Sequence, residues 1–476
     1  MREEVVLKKK YDVTIIGGGV AGLFTAYAIK KMNKDVSVII LDQGKELEDR
    51  ICPAAKNKKK CTNCKVCGIT SGLAGAGAFS DAKFNIGTAY GGTLADEIGE
   101  DVANNYIKQV DNILEVFAAN DYPEMFGSSN KWKSVCLKNN LELLDMDVRH
   151  LGTDRNFLIM QRLIAHLKYY EVEIVTGCVC RGVYKLDHEN EFRVQYNIGV
   201  CDEFKSKYVV VATGRGGANF VKNLCKEFNV HTKNNAVDIG VRVEMKDLVW
   251  KEFSDDIYEP KIIYKTKTFE DKCRMFCFNQ GGIVSAENNN GIITANGHSY
   301  ADKNKKTDNC NFAILSSINF TEPFNQPTEY AENISKLANM IGAGGVIVQR
   351  FGDLIRGRRT TESRLEKNTV KPTMKATPGD ISLVLPHRIL TNIIETIYAL
   401  DKVAPGTAND DTLLYGCESK YYSLKPDHNE NFEITDGLYL IGDGSGIARG
   451  LSQSAAMGLY VGEDIAKKEE VENWLL

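Results

Sequence analysis

The segment Val13-Thr14-Ile15-Ile16 is short and apolar in the manner of a strand buried on both faces. A glycine turn follows, then apolar residues spaced for a helix to about residue 32, then a second strand at 36–41 closed by Asp42. This order predicts a βαβ unit over residues 11–42. Helical spacing returns at about 95–117 and 156–170, and a strand is expected at 172–176. Strand-like runs follow at 191–196 and 201–204, and a buried strand at 208–211 runs into Ala212-Thr213-Gly214. Residues 220–410 read as a separate lobe, β-rich at first, with helical periodicity near 333–340 and 389–400. The chain ends on a strand at about 436–441 and a small-residue helix to about 466.

The pattern predicts an α/β protein. A Rossmann-like domain, with a parallel sheet and a β-meander, is assembled from residues 8–50, 151–219 and 411–470. Residues 51–90 form a Cys- and Gly-rich segment, 91–150 a helical cover, and 220–410 an inserted α+β substrate lobe.

The turn Gly17-Gly18-Gly19-Val20-Ala21-Gly22 carries the first chemistry. Gly17 permits the sharp turn, Gly19 lets the backbone approach a pyrophosphate, and Gly22 lets the helix pack on its strand. Val20 and Ala21 begin the helix, where exposed N–H groups and the helix dipole favour phosphate. Asp42, twenty residues beyond Gly22 and followed by Gln43, is placed to accept hydrogen bonds from a ribose diol and to repel a 2′-phosphate. FAD or NAD is implied rather than NADP.

Composition narrows the partners. With 59 Lys+Arg against 63 Asp+Glu the formal charge is −4, which disfavours nucleic acid as the main partner. The N-terminus is too acidic for a secretory signal and no apolar run is long enough to span a membrane, so the expected location is the cytoplasm. Thirteen cysteines, an odd number, suit a reducing compartment. Cys61-Thr62-Asn63-Cys64-Lys65-Val66-Cys67, with Cys52 upstream, gives two C-x-x-C steps sharing a cysteine. Separated pairs are usual for zinc, whereas three close thiolates and a remote fourth suit a [4Fe–4S] cluster. Zinc, redox-active or persulfide-forming thiols and plain reduced thiols are the alternatives.

Three further stretches agree with the first turn. Residues 72–83 hold Gly75, Ala76, Gly77, Ser80 and Lys83 among small residues that cannot build a packed helix face, so the backbone there is expected close to a flat ring or its chain. Ala212-Thr213-Gly214 ends a buried strand, as in flavoproteins with two dinucleotide domains. Gly442-Asp443 ends another strand just before Gly450-Leu451-Ser452 opens a helix, an arrangement in which the aspartate holds ribityl hydroxyls and the helix dipole faces the flavin. Val179 completes the candidate cofactor contacts.

With these motifs in this order, the chain resembles the FAD-binding superfamily of glutathione reductase-like and fumarate reductase-like enzymes. More narrowly it is similar to an FAD-dependent dehydrogenase family marked by a Gly-Ala-Gly-x-Phe-Ser-Asp-x-Lys segment. The matching residues are 75–83, Asp238-Ile239-Gly240-Val241-Arg242, Arg274 with Phe276-Cys277, Asn296-Gly297-His298-Ser299, Gly357-Arg358-Arg359-Thr360, and Gly416 with Glu418-Ser419. Lys420 stands where the resemblance leads one to expect Arg. The resemblance implies FAD and a redox reaction without naming a substrate.

Candidate catalytic residues are Arg274, Cys277, His298 and Glu418, which the lobe is expected to bring towards the ring. His298 has a reference pKa of about 6.5, suited to proton donation. One of Arg242, Arg274, Arg358 and Arg359 is expected to bind a substrate anion through its planar fork. Gly342-Ala343-Gly344-Gly345 lacks the spacing of a second nucleotide turn, so electrons are expected from NAD(P)H at the flavin or from a protein donor through the cysteines. The primary expectation is an FAD-dependent dehydrogenase or reductase, transferring hydride between flavin N5 and a small organic substrate. A tRNA-modifying flavoprotein and an electron-transfer or redox-sensing flavoprotein are the alternatives.

Overall fold

The computed structural model describes residues 7–53, 64–80, 82–127, 129–144, 146–186, 190–257, 259–289, 291–299, 303–320, 323–324, 326–420 and 423–475. Two compact units divide the chain. The first comprises Met1–Glu124, Arg149–Lys233 and Ser423–Leu476; the second comprises Met125–Val148 and Asn234–Tyr422.

In the first unit, parallel strands lie in the order Leu438–Leu440, Cys201–Val211, Lys10–Ile16, Val38–Asp42, Glu173–Thr176. Side-chain alternation feeds two cores. Val13, Ile15, Val38, Ile40, Tyr208 and Val210 pack with the helices Val20–Met32, Gly152–Tyr169 and Leu451–Leu475. Ile39, Leu41, Val209 and Val211 pack with the β-meander and the helix Ala218–Glu227. The fold is the Rossmann-like α/β architecture expected. Gly458 and Gly462 seat the C-terminal helix directly on the first: a β-carbon at either would come within 2.3 Å of the Ala21 carbonyl or 2.6 Å of that of Thr25.

The runs at 201–204 and 208–211 are one strand rather than two. Its first half pairs antiparallel with Phe192–Asn197 and its second half parallel with Lys10–Ile16. The polar residues between the two runs are built into the strand, since Ser206 Oγ accepts from Thr14 Oγ1 and donates to the Tyr208 carbonyl.

In the second unit an eight-stranded sheet runs in the order Thr377–Pro378, Ile347–Arg350, Leu413–Lys420, Val237–Lys246, Asn309–Ile318, Lys272–Asn279, Lys261–Lys265, Leu141–Leu144. This corrects two expected boundaries. Leu413–Lys420 pairs with Val237–Lys246, so the first domain resumes at 423 rather than 411. Leu141–Leu144 pairs with Lys261–Lys265, so 125–148 is no part of a helical cover over the first domain.

The strand Val237–Lys246 organises this unit. Val237, Ile239, Val241, Val243 and Met245 enter an apolar core with Ile389, Ile393 and Ile397 of the helix His387–Asp401 and Ala331 and Ile334 of Pro327–Ile341. Asp238, Gly240, Arg242 and Glu244 alternate with them onto the opposite face, and the three charged side chains there are fully buried. Burying charges costs free energy unless each is paired or hydrogen-bonded, so this face has to be a built network. Glu244 accepts from Asn309 Nδ2 at 3.0 Å, Thr373 Oγ1 at 2.5 Å and the Tyr415 hydroxyl at 2.5 Å. Asp238 accepts from Ser317 Oγ at 2.6 Å and pairs with Arg274.

Gly342–Gly345 is a helix-ending turn after Pro327–Ile341, with Gly344 at φ +82°, and forms no second nucleotide loop. No helix among the described residues is long and apolar enough to cross a membrane.

Candidate functional site

Within the first unit, the glycine segments predicted to hold one ligand converge at the carboxyl ends of the parallel strands. Gly17 turns at φ +109°, and a β-carbon on it would lie 2.5 Å from the Ala212 carbonyl. One on Gly22 would lie 2.1 Å from the Gly17 carbonyl. Ala74 N–H donates to the Gly18 carbonyl at 2.8 Å, which brings the 72–77 segment onto the first turn. Gly77 sits under Leu451, Gly442 against Ala21, and Gly444 against Gly214. Gly450 meets Gly91, whose carbonyl accepts from Arg449 N–H. The arrangement therefore collects Val20, Gly75, Ala76, Thr213 and Ser452 with the other predicted cofactor residues.

Asp42 is buried, and both of its oxygens accept backbone N–H bonds, from Gly18 at 2.8 Å and Gly44 at 2.7 Å. Burial nevertheless holds its pKa above the usual carboxylate value. The residue thus braces the glycine turn as well as ending its strand. The Cys178 N–H donates to the Asp42 carbonyl, just before Val179 opens its strand. Asp443 accepts from Arg215 Nε at 2.7 Å.

The residues present fit a dinucleotide. A β-carbon on Gly19 would have nothing nearer than 3.8 Å, and one on Gly214 or Gly216 nothing within 4 Å, so the backbone is open to a ligand there. Around the same turns Thr213 Oγ1 and Ser452 Oγ are buried without a hydrogen-bond partner. Leaving such a group unsatisfied costs about 1–3 kcal/mol, a cost a ligand hydroxyl or phosphate would offset. Asn85 and Asn156, absent from the sequence-based set, also keep unpartnered buried oxygens, while Asn156 Nδ2 donates to the Gly77 carbonyl. Lys83 opens the short strand Lys83–Ile86 that carries Asn85.

Arg50 is the other residue missed from sequence. Its side chain is 3 % exposed and donates to the carbonyls of Gly68, Ile69, Leu73 and Gly75, with Phe79 beneath its guanidinium at 4.7 Å. Burial lowers its pKa to about 10. Its signal was faint, a lone arginine before a cysteine segment. Next to it, burial of Cys67 opposes its thiolate, but hydrogen bonds from Thr70 and Ile69 and the Arg50 charge more than offset this, leaving the pKa below the ordinary thiol value. Cys61 lies outside the described residues. Among the described residues no cluster of three His, Cys, Asp or Glu is placed to hold a metal.

The cleft of about 370 Å³ lined by Lys207, Tyr208, Asp436, Asp464 and Lys468 lies at the amino ends of the strands. Parallel α/β sheets bind nucleotides at the opposite end, so the glycine turns and not this cleft define the candidate site.

In the second unit, Arg242 brings together two of the four catalytic candidates, Cys277 and Glu418. Its Nη2 donates to the Cys277 carbonyl at 2.8 Å and to Asn311 Oδ1 at 2.7 Å, and Nη1 lies 3.6 Å from Glu418 Oε2. Burial alone would lower its pKa; the charge of Glu418 and the adjoining Cys277 side chain carry it above the ordinary value. Glu418 also faces Lys420, which reaches Glu287 at 3.3 Å. Gly297 closes over this pair, since a β-carbon there would be 2.3 Å from Arg242 Nη2. His298 follows it at the end of the hairpin Ile283–Asn289/Ile292–His298. Arg274 stands apart, paired with Asp238. Arg358 is held by Asp353, so of the four arginines proposed for an anion only Arg359 has no carboxylate partner among the described residues.

Residues 237–421 match the family model described as "FAD-dependent protein, C-terminal domain-like". An uncharacterized protein from Clostridium beijerinckii is 24 % identical over 474 residues, covering 95 % of this chain and 80 % of that one. Among solved structures, a flavoprotein/dehydrogenase from Cytophaga hutchinsonii is similar at a TM-score of 0.43 and 11 % identity, covering 98 % of this chain and 79 % of that one. L-proline dehydrogenase from P. horikoshii is similar at a TM-score of 0.41 and 12 % identity, covering 97 % and 95 %.

Proposed function

We propose that the chain is an FAD-dependent oxidoreductase, a dehydrogenase or reductase acting on a small organic substrate. The observation that carries this is the convergence of the 17–22, 72–77, 212–217 and 442–452 segments around backbone left open at Gly19 and Gly214. In this reading Gly17, Gly19, Val20, Ala21 and Gly22 take the pyrophosphate, Asp42 the ribose, and Asp443, Thr213 and Ser452 the hydroxyl-bearing chain. Bound FAD would supply two-electron chemistry at N5. Substrate recognition is assigned to Cys277 and Glu418 around Arg242 and to His298, with Arg274 a separate candidate held by Asp238. The matched family description, which names FAD, supports the same reading.

The cysteine set Cys52, Cys61, Cys64 and Cys67 is proposed as a redox site feeding electrons to the flavin. The low pKa of the Cys67 thiol supports it. NAD(P)H at the flavin is the competing donor.

Anaerobic purification followed by FAD titration, with iron and sulfide analysis, tests all of this. Yellow protein that bleaches with one compound of a substrate panel is expected. Folded protein that stays colourless and takes up no FAD would overturn the assignment.

A further inference from the structure

We infer that the side-chain oxygen of Asn156 positions the cofactor by accepting a hydrogen bond from a hydroxyl of the flavin's ribityl chain. That role rests on the FAD reading above and adds to it a residue outside the glycine turns.

Asn156 is 2 % exposed in the helix Gly152–Tyr169, whose Ile159, Met160 and Leu163 enter the apolar core. A carboxamide in such surroundings costs free energy unless both of its ends are hydrogen-bonded. Its Nδ2 donates to the Gly77 carbonyl at 3.0 Å, while Oδ1 is buried with no partner among the described residues. Turning the amide over does not cure this, since the oxygen would then face the Gly77 carbonyl, acceptor against acceptor. Nor does Gly77 depend on Asn156: its carbonyl also accepts from the Ser80 N–H at 3.2 Å and from Ser80 Oγ at 2.8 Å. The side chain is thus held with its acceptor open, at a turn that is satisfied without it.

An open acceptor specifies a ligand more narrowly than the other unpartnered atoms near the turns. Thr213 Oγ1 and Ser452 Oγ can donate or accept, so each suits a phosphate as well as a hydroxyl. Asn156 Oδ1 can only accept, which rules out an ionised phosphate oxygen and calls for an O–H or N–H group. FAD carries such groups on its ribose, its ribityl chain, its adenine amine and flavin N3.

The place of Gly77 selects among them. A β-carbon on Gly19 would have the Cα of Gly75 as its nearest neighbour, and two residues of chain span no more than about 7 Å, so Asn156 is tied close to the turn assigned to the pyrophosphate. It is also tied to the start of the C-terminal helix, because a β-carbon on Gly77 would meet Leu451 Cδ2 at 2.5 Å, one residue before Ser452. The ribose already has an acceptor in Asp42, which the Gly18 and Gly44 N–H groups hold in place. The portion of FAD that adjoins the pyrophosphate on the flavin side is the ribityl chain.

The test uses the full chain and measures Kd by flavin fluorescence for FAD and for its 2′-, 3′- and 4′-deoxyribityl analogues. Asn156→Ala should weaken FAD binding about tenfold, the loss of one buried hydrogen bond. One analogue should bind the wild type about tenfold more weakly than FAD does, yet bind Asn156→Ala as tightly as FAD binds that variant, because the oxygen and its hydroxyl are then both gone. Asn156→Leu, closer in volume, repeats the measurement should the alanine variant not fold. A merely structural asparagine would weaken FAD and every analogue alike, and that result would overturn the proposal. So would equal binding of FAD and all the analogues by the wild type, or FAD binding unchanged in whichever variant folds. Those outcomes leave flavin binding in place, whereas a wild-type chain that takes up no FAD would overturn the flavin reading and this role together.

Discussion

A β-carbon built on Gly75 would lie 3.1 Å from the Cα of Gly19, so the two glycine segments touch backbone to backbone. Gly75 also has φ +63°, a left-handed conformation that side chains strain. Gly75→Val is therefore expected to push the segments apart, weakening FAD binding by more than about tenfold while leaving the second unit folded. Fluorescence titration with FAD, alongside circular dichroism, measures it.

Arg50 satisfies four carbonyls of the 68–75 segment at once. Lysine has one ammonium and no fork, so Arg50→Lys should lose most of these bonds. The expected outcome is faster proteolytic cleavage between residues 64 and 75 and lower FAD affinity, with little change elsewhere. Limited proteolysis read by mass spectrometry shows whether the cut falls there.

Glu418 and Arg242 are both fully buried. Glu418→Gln leaves the Arg242 cation without its counter-charge and should cost about 3–5 kcal/mol, whereas replacing both with apolar residues of similar volume should cost much less. Urea unfolding of the single and double variants separates the two outcomes.

Tyr415→Phe removes a donor from Glu244 Oε2 inside the buried face. A loss of about 1–3 kcal/mol is expected, since the oxygen keeps its burial and loses its strongest neighbour. The midpoint of urea unfolding reports it.

Asp353, Asp411 and Glu433 resist protonation in the folded state. Burial raises each pKa, but Arg358 and Thr360 around Asp353, Arg350 and Thr369 around Asp411, and Lys468 around Glu433 overcome it and leave all three lowered. The stability these groups contribute is fully present above their unfolded values, near pH 4, and is lost as pH falls through the folded ones. The protein should thus lose stability steeply between about pH 5 and pH 2, and Asp353→Asn should flatten that dependence. Denaturation midpoints across this range decide it.

The glycine turn, Asp42, Ala212-Thr213-Gly214 and Gly442-Asp443 were legible because each pairs a strand end with residues that only a close backbone approach explains. Strand ends and glycines are local signals. Arg50 and the pairing of Arg215 with Asp443 were not legible, since both depend on segments distant in sequence meeting in space. The affiliation of 413–420 failed for the same reason: a strand's partner is chosen across the fold, and its own residues name only its type. The polar face of 237–246 left a usable trace, because Val-Asp-Ile-Gly-Val-Arg-Val-Glu-Met alternates strictly, and charges at every second position of an otherwise apolar strand mark a second built face.

That strand cannot be shifted. Sliding it by one residue would drive three charges into hydrocarbon and present valines to Tyr415 and Asn311. An inserted or deleted residue anywhere between 237 and 246 would therefore undo both layers together, while substitutions that preserve the period of two would be absorbed one site at a time.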